Sequence, residues 1–146
     1  MGRTALAMVL PAMGALLATS AGPAQAAGDL YGAMAVSREV FRKTVAVDYP
    51  TQAAAEQAAL EACGANCFVY LVTHNECGSL VQRVSWNHLF QTFMPSTYTG
   101  TGPTAAAAER AAMESAGPDV DPLMDLIVVT TQPARVEDTF CTANTG

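Results

Sequence analysis

An internal duplication constrains this fold more than any other feature of the chain. The segment "PTQAAAEQAALEACG", residues 50–64, recurs as "PTAAAAERAAMESAG", residues 103–117, with ten of the fifteen letters unchanged. Each copy carries helix start and stop signals: Thr51 or Thr104 as N-cap behind a proline, and Gly64 or Gly117 as the terminating glycine. At helical period Ala54, Ala55, Ala58, Ala59 and Ala62 gather on one side, as do Ala107, Ala108, Ala111 and Ala112 in the second copy. Such a face lets a helix lie close to what it covers. Leu60 and its counterpart Met113 fall off that face, which predicts a second contact for each helix, with the other helix as its partner.

The helices sit in equivalent surroundings. Before the first, "YGAMAVS" (Tyr31 to Ser37) and "KTVAVDY" (Lys43 to Tyr49) read as short strands joined by a charged turn, and "CFVYLVT" (Cys67 to Thr73) follows it. The second half repeats the order: "CGSLVQRV" from Cys77, an aromatic strand around Trp86 to Phe93, the helix, then a strand from Leu123 to Thr131. One strand-strand-helix-strand unit alone leaves a sheet face and an edge uncovered. Two units cover each other. The expected fold is therefore α+β: a single domain of two pseudo-symmetric repeats, about 31–76 and 77–141, with two Ala-rich helices on a shared or paired antiparallel sheet. Cys77 and Cys141 are each placed after the last strand of a unit.

The first residues set the compartment. "MGRTALAMVLPAMGALLATSAGPAQAAG" has a basic n-region (Arg3), an apolar h-region and an Ala24-Gln25-Ala26 cleavage site, the pattern of a secretory signal over 1–26. Its apolar run is shorter than a membrane span requires and is interrupted by Pro11. The mature chain, 27–146, is expected to be secreted, with no transmembrane anchor. Removing Arg3 from the seven basic residues leaves six against thirteen acidic ones, a net charge of −7. That balance excludes nucleic acid, which requires a concentrated positive surface, and disfavours adsorption to anionic membranes.

Cys63, Cys67, Cys77 and Cys141 all lie in the mature part, and an even count in an exported chain implies two disulfides. Three pairings are open. The short Cys63–Cys67 spacing suits a local bridge if the helix ends there, leaving Cys77 with Cys141.

Taken together, Tyr31-Gly32-Ala33-Met34-Ala35-Val36-Ser37, the helix from Pro50-Thr51 to Cys63-Gly64, Cys67 before an apolar strand, Cys77-Gly78-Ser79-Leu80 and Phe140-Cys141 resemble the small exported bacterial proteins of domain of unknown function 4189. The resemblance implies a secreted, cysteine-containing protein with no agreed activity, so no catalytic residue is carried over. "REVFRKTVAV" and "VSWNHLFQTFMPSTYTGTG" depart from the family's usual second strand.

Candidate chemistry is thin. Cys63, Cys67, His74 and Cys77 have the spacing of a zinc knuckle, but export favours disulfides. His74 and His88 belong to no HExxH pattern, and no serine sits in a GxSxG elbow. Glu56 and Glu61 project apart on their helix. Asp119, Asp121 and Asp125 lack the glycine and glutamate of a calcium loop, and "GTGPT" lacks the lysine of a phosphate loop. Neither cofactor nor metal is expected.

Two possible binding surfaces remain. Arg38, Arg42, Lys43 and Arg83 concentrate the scarce positive charge and suit an anionic envelope or host component. Trp86, His88 and Phe90 alternate onto one face of the expected aromatic strand, with Phe93 on the other, which makes Trp86 a candidate anchor if exposed. The residues point to a non-catalytic binding module at or outside the cell envelope. A small extracellular enzyme with a dispersed site and a structural envelope protein are the alternatives. The residues leave oligomeric state open.

Overall fold

In the computed structural model the described residues are 28–37, 42–119 and 126–145; the expected signal sequence, Arg38 and the strand start at 123–125 lie outside them. The elements run β1 (Tyr31–Ser37), β2 (Lys43–Tyr49), α1 (Gln52–Cys63), β3 (Cys67–His74), β4 (Cys77–Asn87), β5 (Thr92–Gly102), α2 (Ala105–Ala116) and β6 (Val128–Cys141). This is an α+β fold in which the strand-strand-helix-strand order occurs twice.

The two repeats form separate sheets. Sheet A has the order β2-β1-β3 and sheet B the order β5-β4-β6, and every pairing is antiparallel. The first strand of each repeat is therefore central. Strand alternation sends the two faces of each sheet into different cores. Ala33 and Ala35 pack with Ala55, Ala59 and Cys63 of α1, whereas Met34 and Val36 join Leu80 and Phe140 of sheet B. On the far side, Val81 meets Ala112 and Ala116 of α2. The layers thus run α1, sheet A, sheet B, α2. Each repeat leaves one sheet face bare and the other repeat covers it.

Glycine sets the closeness of these layers at two places. A Cβ on Gly32 would lie 2.6 Å from Thr73 Oγ1, and one on Gly78 would lie 2.7 Å from Leu71 Cδ2 and 2.8 Å from Thr73 Cγ2. Gly32 pairs with Thr73 and Gly78 with Phe140, so the two glycines hold equivalent register positions where the sheets meet. Against α2, Gly100 brings β5 so near that an added Cβ would lie 2.6 Å from the Ala111 carbonyl carbon.

The helix ends are as the sequence predicts. Thr51 Oγ1 accepts the Ala54 N–H at 3.2 Å and Thr104 Oγ1 accepts the Ala107 N–H at 3.2 Å. Gly64 and Gly117 follow at φ of 91° and 66°, in the left-handed region. The buried stripes are Ala55, Ala59, Cys63 and Ala108, Ala112, Ala116.

Three expectations are corrected. The helices occupy opposite outer layers, so Leu60 packs on its own sheet and Met113 is exposed. The aromatic segment from Trp86 to Phe93 is not one strand. The Asn87 side chain accepts the N–H groups of Leu89 (2.9 Å) and Phe90 (3.0 Å), an Asx turn that folds the chain back through Gln91 at φ 49°. Trp86 and Phe93 are consequently cross-strand partners, not residues on opposite faces. Finally, Cys77 follows β3 as expected, whereas Cys141 is the last residue of β6 and does not lie beyond it.

Candidate interaction surface

Strand length creates the surface. The strands of sheet B hold 11, 11 and 14 residues against 7, 7 and 8 in sheet A, so sheet B overhangs its partner. Leu80 lies in the core between the sheets, and steps of two along β4 put Gln82, Val84 and Trp86 on that same face. Their β5 partners are Thr97, Pro95 and Phe93. The Tyr70 hydroxyl of sheet A donates to the Thr97 carbonyl at 2.9 Å. Past that link the face of sheet B continues through Val84, Pro95, Trp86 and Phe93, and through Val129, which pairs with Trp86 on the β6 side.

This end is apolar and open. Phe93 is 61 % exposed while its ring meets Trp86 edge-on, centroids 4.8 Å apart. Trp86 itself is half-buried. The β4–β5 turn presents Leu89 and Phe90, each 71 % exposed, and Leu126 is 89 % exposed. The His88 N–H donates to the Ile127 carbonyl at 2.8 Å, which fastens the β4–β5 turn beside the start of β6. No Lys, Arg, Asp or Glu occurs between Arg83 and Glu109, nor over residues 126–134. Among the described residues, this end of an acidic protein is an uncharged aromatic and aliphatic surface.

The basic residues do not gather in the same way. Arg42 is exposed, and Lys43 meets Glu137 at 3.4 Å across the two sheets. Arg83 lies on the α2 side of sheet B, where Nε donates to Asp119 at 2.8 Å, Nη2 donates to the Gly117 carbonyl at 2.7 Å, and the guanidinium lies 5.5 Å from the Tyr98 ring centre. Asp119 also accepts the Ala134 N–H, and that bond, more than Arg83, holds its carboxyl below the ordinary range. Asp119 is thereby tied into the β6 backbone; Asp121 and Asp125 lie outside the described residues.

The cysteines form the bridges Cys63–Cys67 and Cys77–Cys141, so no thiolate remains for a zinc set or a nucleophile. His74 Nε2 lies 3.1 Å from Asp29 and its ring stacks on Tyr31; His88 is exposed. A groove of about 400 Å³ runs beside Cys77–Cys141, lined by Pro103, Thr104, Ala105 and Thr142 among others, with no ionisable side chain in its wall. Among the described residues no group of three or more His, Cys, Asp or Glu side chains is placed to hold a metal ion, and no helix is long and apolar enough to cross a membrane.

Family membership follows from residues 31–119, which match the family described as Domain of unknown function (DUF4189). The chain belongs to DUF4189. The matched stretch spans the first repeat together with β4, β5 and α2; β6, with Phe140 and Cys141, lies beyond it. No curated protein and no solved structure matches this DUF4189 chain.

Sequence reading singled out Trp86 but missed Leu89, Leu126 and Ile127. The available signal was the long run without charge from Val84 to Ala108, unusual in a chain with thirteen acidic residues.

Proposed function

We propose that this DUF4189 protein is a secreted, non-catalytic interaction module that engages a partner through the overhanging end of sheet B. One observation carries the reading: Leu89, Phe90, Phe93 and Leu126 stand exposed on described segments, 84–108 and 126–134, that hold no charged residue. Exposed aliphatic and aromatic side chains in one patch, backed by a rigid sheet, are the composition of a binding hot spot rather than of an ordinary solvated hairpin. Secretion is supported by the signal-like first 26 residues and by two disulfides.

The chemistry favours an apolar protein surface as partner. An anionic envelope or host component has less support, because Lys43 and Arg83 already face Glu137 and Asp119. The test is a photo-crosslinking residue placed at Phe90 in the full chain, expressed in its cells, with the same residue at Gln57 on α1 as control. Discrete adducts at position 90 and none at 57 are expected. Equal adduct patterns, or none at 90, would overturn the reading.

A further inference from the structure

We infer that the overhanging end of sheet B is self-complementary, and that two copies of this chain associate through it. The inference rests on the preceding reading of that end as a contact surface. It adds the identity of the occupant.

Edge pairing is the first alternative to remove. β5 and β6 are the edge strands of sheet B, and each carries a proline, Pro95 and Pro133, which cannot donate to a ladder. Strand addition at this end is blocked on both sides. Burial must therefore come from the face and the turns.

Area is the second consideration. The exposed parts of Leu89, Phe90, Phe93, Leu126, Ile127 and Val129 amount to roughly 700 Å², close to what one partner contributes to an interface of standard size. A typical monomer's largest apolar patch is smaller.

Charge then selects the occupant. Among the described residues, the segments that form this end, 84–108 and 126–134, hold no charged side chain. Two copies meeting through these segments keep the carboxylates of the described residues apart, whereas approaches through the charged segments bring acidic side chains together. An anionic lipid surface would repel the chain as a whole, and a charged partner would have to leave its charges unpaired against Phe93 and Leu126. A second copy brings the same uncharged, aromatic-rich surface. In a twofold arrangement the turn residues Leu89 and Phe90 of each copy cover the Trp86–Phe93–Val129 face of the other, the reciprocal pattern an isologous contact requires.

The experiment is sedimentation velocity on the oxidised mature chain, 27–146, over a concentration series reaching about 100 μM, where a specific contact of micromolar affinity is saturated. The wild type is expected to reach the dimer mass, and Phe90→Ser with Phe93→Ser to weaken self-association by at least about tenfold. Far-UV circular dichroism and the urea midpoint guard against loss of fold: the serine variant and Leu89→Glu should each keep the native spectrum and a cooperative transition while remaining monomeric. A wild type that stays monomeric throughout, or variants that dimerise as well as it does, would overturn the inference. If the wild type is monomeric yet position 90 still crosslinks to another protein, the dimer falls and the interaction module stands. If position 90 yields no adduct of any kind, both fall.

Discussion

Tyr31 lies flat against His74, ring centroids 4.5 Å apart and planes 12° from parallel, at the register position that Cys77 and Cys141 hold in the second sheet. Both pairs join the start of a central strand to the end of the third strand of its repeat. One repeat is locked there by a covalent bond and the other by a stacked ring pair. The equivalence predicts that Tyr31→Cys with His74→Cys will oxidise to a third bridge. Thiol titration of the refolded variant should find no free cysteine. Reactive thiols at 31 and 74 in a folded chain would show that the two positions are not geometric counterparts.

The native bridges should differ in weight. Cys77–Cys141 spans a sequence separation of 64 and Cys63–Cys67 one of 4. Loop-closure entropy makes the first worth roughly 4 kcal/mol and the second roughly 2. Replacing each pair by serine and comparing urea midpoints is expected to rank Cys77→Ser/Cys141→Ser as the more destabilised variant. The reverse order would mean that the local bridge holds the α1–β3 corner by more than chain entropy.

The helices and most strands were legible because their signals are local and stated twice. Thr51 and Gly64, Thr104 and Gly117 mark ends that the hydrogen bonds reproduce. The layer order was not legible, since an alanine stripe shows that a helix packs closely without showing on which sheet. The β4–β5 turn was hidden for a different reason: Asn87 makes it with side-chain bonds inside an apolar run that has no glycine or proline. Missing that turn put Trp86 and Phe93 on opposite faces and concealed the exposed end they share with Leu89 and Leu126. The basic residues looked concentrated in sequence, yet Lys43 and Arg83 point to different layers, each toward its own carboxylate.

Gly100 sets how closely α2 lies on β5. A methyl group there would meet helix backbone, with the Ala108 carbonyl oxygen at 2.8 Å as well as the Ala111 carbonyl carbon, so no side-chain rotation relieves it. Gly100→Ala is expected to destabilise by about 2–3 kcal/mol, the upper part of the overpacking range. Thermal denaturation reads the change. An unchanged midpoint would show that α2 shifts freely on the sheet.

Thr73 carries the opposite kind of defect. It is 1 % exposed where the sheets meet, and its hydroxyl finds no hydrogen-bond partner among the described residues. Burying such a group costs free energy that an isosteric methyl does not. Thr73→Val should therefore stabilise the fold by about 1 kcal/mol, seen as a higher urea midpoint at unchanged slope. A loss of stability would mean that the hydroxyl is satisfied in solution.

Acid should weaken the fold through three carboxylates. Asp29 is held below its ordinary range first by the Asn75 amide and then by His74, Asp119 first by the Ala134 N–H, and Glu137 first by Arg135 and then by Lys43. A carboxylate whose folded value is depressed binds fewer protons folded than unfolded, so its contribution is complete above the unfolded value, near 4, and is lost as the pH falls through the folded one. The melting midpoint should be flat above about pH 5 and fall steadily below about pH 4. Asp119→Asn keeps an oxygen able to accept from Ala134 but removes the charge. It should melt below the wild type at neutral pH, and the two curves should converge as the pH drops through the same window. Parallel curves with a constant gap would show that charge on Asp119 contributes nothing, and that the side chain acts there only as a neutral acceptor for β6.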